Sequence, residues 1–301
     1  MKEAIKRVLP NVLWQRMQRV KRDFELRRIK SQTSVTKEQL VRDLRALGLK
    51  REDLLFIHSS LRSLGFVEGG PDTVIEALLE VVGDEGTLLF PTFTIHGSMK
   101  ETLASEEFIF DPVNSPSTVG KITEIFRRRP GVRRSHHPTH SVAAMGPLAE
   151  ELTRTHLKDG TNFGAGSPFG KMLEHGGKVV GLGINFGPVT YYHVYEDLNL
   201  DKFRGVYLPE PLTTMIELPG GRQEIPVRCH APAFHRYRID KTPDIESFFS
   251  DWFQANEVAH MGQVGKSISW WIFAQDMIES LEKLYAEGVT IYKTPNLTVK
   301  E

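Results

Sequence analysis

The sequence predicts an α/β fold, a single layered α/β/α domain around a mainly parallel central sheet, on three observations. Short apolar runs at residues 53–57, 86–91 and 178–184 alternate with segments of helical periodicity. The strand, loop, helix, strand order requires parallel crossovers, because only antiparallel neighbours can be joined by a tight turn. The 301 residues are 40% apolar and 25% charged, ordinary globular composition, and enough to bury one large core or two small ones.

Each element has its own justification. Residues 1–31 stand apart: ten Lys or Arg face only Glu3, Asp23 and Glu25, and interleaved apolar residues give an amphipathic helical pattern broken near Pro10. Such a segment packs on its own body or on a second copy as a homodimer, or lies peripherally on an anionic membrane surface. Residues 32–301 form the second unit. Thr36 caps a helix over 37–47 that Gly48 stops, and the strand at 53–57 leads into a polar loop at 58–65. A helix over 72–82 closes at Gly83 before the strand at 86–91. The same grammar gives a helix at 117–129, a strand at 140–145 and a helix at 147–156 with Pro147 in its first turn. Another helix starts at Ser167-Pro168, ahead of the strand at 178–184. Runs at 213–218 and 224–229 flank Pro219-Gly220-Gly221-Arg222, an antiparallel hairpin insert. Helices at 244–256 and 274–287 close the domain. No repeat or low-complexity linker divides it.

Charge and cysteine content limit the function classes. Lys plus Arg and Asp plus Glu number 38 each, so nothing global calls for nucleic acid or an acidic partner. The single Cys229 excludes an internal disulfide and fits a reducing, cytoplasmic compartment. No apolar run reaches the roughly 18 residues of a membrane span, and no signal-peptide core is present.

Chemistry is expected where strand ends run into helix starts. After the strand at 178–184, a turn-rich stretch opens a helix carrying Thr190, His193 and Glu196. His193 and Glu196 are three apart and point the same way, which suits a general base and its orienting carboxylate; a plain i, i+3 ion pair on a polar face has the same spacing. Two further loops sit at strand ends. His58, Ser59, Ser60 and Leu61 lie ahead of Gly69 and Gly70, whose missing side chains let a phosphate or amide approach closely, and Thr92 follows the next strand. The loop carrying Arg133, Arg134, His136, His137, His140 and Ser141 is rich in histidine. Pro138 breaks the regular spacing of His136, His137 and His140, and neither a CxxC nor an HxxxH on a helix accompanies the loop, so it reads as a substrate-contacting or structural loop, and no metal is expected.

Taken together and in order, His58-Ser59-Ser60-Leu61, Gly69-Gly70, the stretch 86–92, Arg134 to Gly146, Ser167-Pro168, and Thr190 with His193 and Glu196 resemble the aminoglycoside 3-N-acetyltransferase family over roughly residues 36–290. The resemblance implies acetyl-CoA as co-substrate and transfer of an acetyl group to an amine of a sugar-like acceptor. It further implies that His193 is the base, Glu196 its support and Thr190 an oxyanion contact at the thioester, and that His58, Ser59, Ser60, Leu61, Gly69, Gly70 and Thr92 lie along coenzyme A. Members that modify aminoglycosides tend to be acidic. This chain is neutral, with arginines at 127–129, 133 and 134. Arginine forks suit phosphate oxygens, so the expected acceptor is a nucleotide-linked amino sugar of glycan biosynthesis held by Arg133, Arg134, His137, His140 and Ser141. The alternatives are an aminoglycoside, as in antibiotic resistance, a histidine-dependent hydrolase acting on water, and a non-catalytic glycan-binding protein.

Overall fold

The computed structural model describes residues 34–156, 160–235 and 237–294. The amphipathic segment at 1–31 lies outside the described residues. A seven-stranded sheet forms the centre, and its strands in chain order are β1 (Leu54–Ser59), β2 (Thr87–Pro91), β4 (Arg133–Arg134), β5 (Val142–Met145), β6 (Lys178–Leu182), β9 (His260–Val264) and β10 (Ser267–Phe273). Their spatial order is β4-β5-β2-β1-β6-β10-β9. β3 (Ile109–Phe110), β7 (Leu212–Leu218) and β8 (Gly221–Val227) make a second, three-stranded sheet.

The three central strands are parallel. β1 pairs with β2 (Leu55 opposite Leu88) and with β6 (Phe56 opposite Val179). They are buried on both faces, as a parallel core must be. Phe56, Leu89 and Val179 belong to one apolar cluster, while Leu55, Ile57, Leu88, Phe90 and Val180 belong to the other. The four outer ladders are antiparallel. The sheet is therefore parallel only at its centre.

The helices end where local chemistry makes them end. In α1 (Lys37–Ala46), Thr36 Oγ1 accepts from Gln39 N at 3.3 Å, and Leu40, Val41 and Leu44 face the core. α2 (Pro71–Val82) starts on proline after Gly70 at φ 67° and stops at Gly83, φ 68°, both left-handed positions that favour glycine. The remaining helices, α3 (Met99–Leu103), α4 (Lys121–Phe126), α5 (Ala149–Thr153), α6 (Pro168–Lys171), α7 (His193–Leu198), α8 (Pro232–His235), α9 (Pro243–Ala255) and α10 (Ala274–Ala286), fill the two layers and the hairpin side. α4 is half the length the sequence predicts. Glu124 accepts from Ser117 N at 2.6 Å, Ser117 Oγ pairs with Thr123 at 2.8 Å, and Gly120 turns the chain, so residues 117–120 form a capping loop. The hairpin turn is also tighter than expected, with Leu218 opposite Gly221 and two residues between them.

β10 links the sheet to the functional end of the molecule. Trp270 Nε1 donates to Ile184 O at 2.9 Å, and its ring stacks on Phe186 at 4.4 Å, steadying the chain that leads to His193. Opposite it, a Cβ on Gly181 would lie 2.1 Å from Trp270. Gly181→Ala is therefore expected to cost about 1–3 kcal/mol by overpacking. Chemical denaturation followed by tryptophan fluorescence reads this, and an unchanged midpoint would show that the indole has room to shift.

Candidate active site

The carboxyl ends of β1, β2 and β6 open onto one cleft of about 660 Å³. From the sheet come His58 and Ser59, Pro91, and the 184–193 segment with Thr190 and His193; from the hairpin side come His230, Arg238, Asp240 and Tyr292. Parallel strands deliver backbone ends and short polar loops to one edge, which is why the cleft forms there.

The approach to His193 is rigid. A 3-10 turn at Thr190–Tyr192 precedes α7, and its two tyrosines are anchored in the core, Tyr191 OH on Phe169 O and Tyr192 OH on Phe186 O, both at 2.9 Å. His193 is 5% and Glu196 1% exposed, and His193 Nδ1 lies 2.6 Å from Glu196 Oε2. Glu196 is ionised: burial would raise its pKa, but the adjoining His193 and His230 hold it below the usual carboxylate range. Burial lowers the pKa of His193, with Glu196 only partly opposing, so the ring is neutral at neutral pH. Nδ1–H then donates to the carboxylate and Nε2 keeps the lone pair. This is a base with its tautomer fixed by its neighbour.

Next to this pair, Asp197 accepts from Phe163 N at 2.6 Å and from Tyr207 OH, which ties α7 to two other segments of the chain. His58 is buried, and burial alone pushes its pKa down to about 3, so it is a neutral group at the floor. His140 also lines the cleft; its Nδ1 pairs with Thr139 Oγ1 at 3.0 Å and burial keeps it neutral.

Other sequence-predicted residues are not in the lining. Ser60 pairs with Ser63 at 2.9 Å, Leu61 packs against the core cluster beneath α2, and Gly69 and Gly70 form the start of α2. Thr92 and Ser141 are buried and bonded to each other at 3.2 Å, and His137 Nε2 is held by Asn162 Oδ1 at 2.9 Å. The expectation of an open, phosphate-gripping arginine pair does not fit. Arg134 turns inward and donates to Thr92, Ser141 Oγ, Thr94 Oγ1, Pro112 O and Ser115 O. Arg133 is exposed and pairs with Glu150 at 3.2 Å. Adjacent residues of the edge strand β4 point to opposite sides, which separates the two guanidinia. The residues that sequence reasoning missed are His230, Arg238 and Asp240. They come from segments without motif spacing to His193, and only the packing of the hairpin side against α7 brings them in.

The profile of the family described as aminoglycoside 3-N-acetyltransferase matches residues 56–286. Aminoglycoside N(3)-acetyltransferase VII of Streptomyces paromomycinus is 37% identical over 181 residues, covering 56% of this chain and 62% of the relative. The chain thus spans about three fifths of the length of the curated relatives it matches. Among solved structures, AAC-IIIb in binary complex with CoASH aligns with a TM-score of 0.69 and 26% identity, over 88% of this chain and 100% of that one. A mutant of aminoglycoside acetyltransferase AAC(3)-IVa in complex with a gentamicin aligns with a TM-score of 0.71 and 26% identity, over 88% and 93%.

Proposed function

The chain belongs to the aminoglycoside 3-N-acetyltransferase family, and from that membership we propose that it moves the acetyl group of acetyl-CoA to an amine of an aminoglycoside. The observation that carries this reading is the 2.6 Å contact of His193 Nδ1 with Glu196 Oε2, with His193 in the lining of the cleft. A neutral acceptor amine attacks the thioester carbonyl carbon. His193 Nε2 takes the proton that the nitrogen sheds, the C–S bond breaks, and the proton returns to the departing thiolate to give CoASH. Glu196 stabilises the imidazolium in between, and the hydroxyl of Thr190, which lines the same cleft, meets the developing oxyanion. Pantetheine runs past His58 and Ser59, with its pyrophosphate toward the amino terminus of α2 beyond Gly69 and Gly70.

The nucleotide-linked amino sugar is the second reading, and the cleft's charge favours it. Among the described residues Asp240 is the only carboxylate in the lining, and it already binds Arg238 at 2.5 Å and Lys241 at 3.2 Å, while Lys100 stands exposed at the rim. The relatives named above favour the aminoglycoside. Thiol release from acetyl-CoA, measured with gentamicin-like polycations and with nucleotide-linked amino sugars, decides between them. The first reading expects turnover with the polycations. Turnover with the nucleotide sugars alone reverses the order, and release that needs no acceptor indicates hydrolysis.

Residues 1–31 precede the matched region, and we place them outside the catalytic unit. Among the described residues no helix is long and apolar enough to cross a membrane.

A further inference from the structure

Two elements distant in sequence bring three ligand-type side chains together at the cleft, His193 and His230 in its lining and Glu196 behind them. His193 and Glu196 come from α7 and His230 from the segment after β8, and one donor atom from each lies within 4.8 Å of the other two. The imidazole centroids are 4.6 Å apart, and His230 Nε2 is 3.6 Å from Glu196 Oε2. Glu196 Oε1 and His230 Nε2 are both buried with no hydrogen-bond partner within 3.5 Å, and the groups that face Glu196 at longer range are His230 and Tyr292. Buried polar atoms left in this state are costly and call for an explanation.

We propose that His193, Glu196 and His230 form a transition-metal site that takes Zn²⁺, with its fourth position toward the cleft, and that occupancy switches acetyl transfer off by sequestering the base. Two imidazoles and one carboxylate are the donor set of open zinc sites. The fit needs little movement. Ligands at about 2.0–2.1 Å from zinc stand about 3.3 Å apart in a tetrahedron, so the 3.6 Å pair is already in place. The His193–Glu196 pair opens from 2.6 Å by less than one ångström as Nδ1 gives up its proton and Nε2 takes one, so the neutral ring ligates through Nδ1 and its base nitrogen is blocked by the proton. The histidine-rich loop offers no such set, since His137 is bonded through both ring nitrogens and His140 through Nδ1. Inhibition rests on the acetyltransferase reading; metal binding does not.

The test uses the full-length chain without an affinity tag, stripped by a chelator and dialysed against ZnCl₂. One zinc per chain is expected at micromolar concentration. His230→Phe and His230→Gln should weaken binding at least tenfold while keeping the wild-type circular dichroism and melting curve. Because either variant can fail to fold, Co²⁺ is also added to the wild type, where an intense visible band reports four-coordinate geometry. Zinc should abolish acetyl-CoA thiol release reversibly, with EDTA restoring it. If acetyl transfer itself is absent, dialysis and the Co²⁺ band still decide the site. Stoichiometry at background, a six-coordinate Co²⁺ spectrum, or undiminished binding in the folded His230 variants overturns the proposal.

Discussion

His193→Ala is expected to lower kcat by about 10² to 10⁴-fold while acetyl-CoA binds as before, because the proposed mechanism gives the ring the amine's proton and no part in anchoring the coenzyme. Glu196→Gln should cost less: the base survives, but its tautomer loses the carboxylate that receives Nδ1–H at 2.6 Å. Burial places the pKa of His193 below its ordinary value, so the acidic limb of kcat/KM should fall below about 6.5. An undiminished kcat in His193→Ala would move the base elsewhere, with His58 and His140 next because they share the cleft.

A steep loss of stability in mild acid is the second expectation. His58, His140, His156 and His193 are all buried, and burial lowers each pKa, that of His58 to about 3. Below the ordinary histidine pKa of about 6.5 the unfolded chain binds protons that the folded chain refuses. Stability is therefore complete above about 6.5 and declines as pH falls toward the folded values. At about 1.4 kcal/mol per pKa unit, His58 alone accounts for about 3 kcal/mol at pH 4, a large share of a typical 5–15 kcal/mol. Urea midpoints should drop between pH 7 and pH 5, ahead of most carboxylate titration, and His58→Gln should flatten the slope. A midpoint constant over that interval would mean that the histidines are solvated in the folded state.

The sequence carried the parallel centre of the fold because each part has a local cause. Thr36 caps, Pro71 starts and Gly83 stops their helices through chemistry confined to a few residues. The antiparallel flanks were harder. Residues 267–273 are a near-continuous apolar and aromatic run whose pairing with β6 depends on Gly181 making room for Trp270, a fact of tertiary packing. The arginine loop misled for a similar reason, since charge in sequence does not tell which guanidinium is turned into the body. At the site, His193 and Glu196 were legible because helical spacing alone sets them side by side. His230 was not, because its distance to Glu196 is fixed by the hairpin side 34 residues later.

The most direct measurement of the account is the product itself. Full-length chain is incubated with acetyl-CoA and a deoxystreptamine aminoglycoside, and the acceptor is analysed by mass spectrometry and NMR, with His193→Ala in parallel. The account predicts one acetyl group on a ring amine, formed in step with free CoA thiol, and product at least a hundredfold slower in His193→Ala. Free acetate with an unmodified acceptor, or acetylated product formed equally fast without His193, would contradict it.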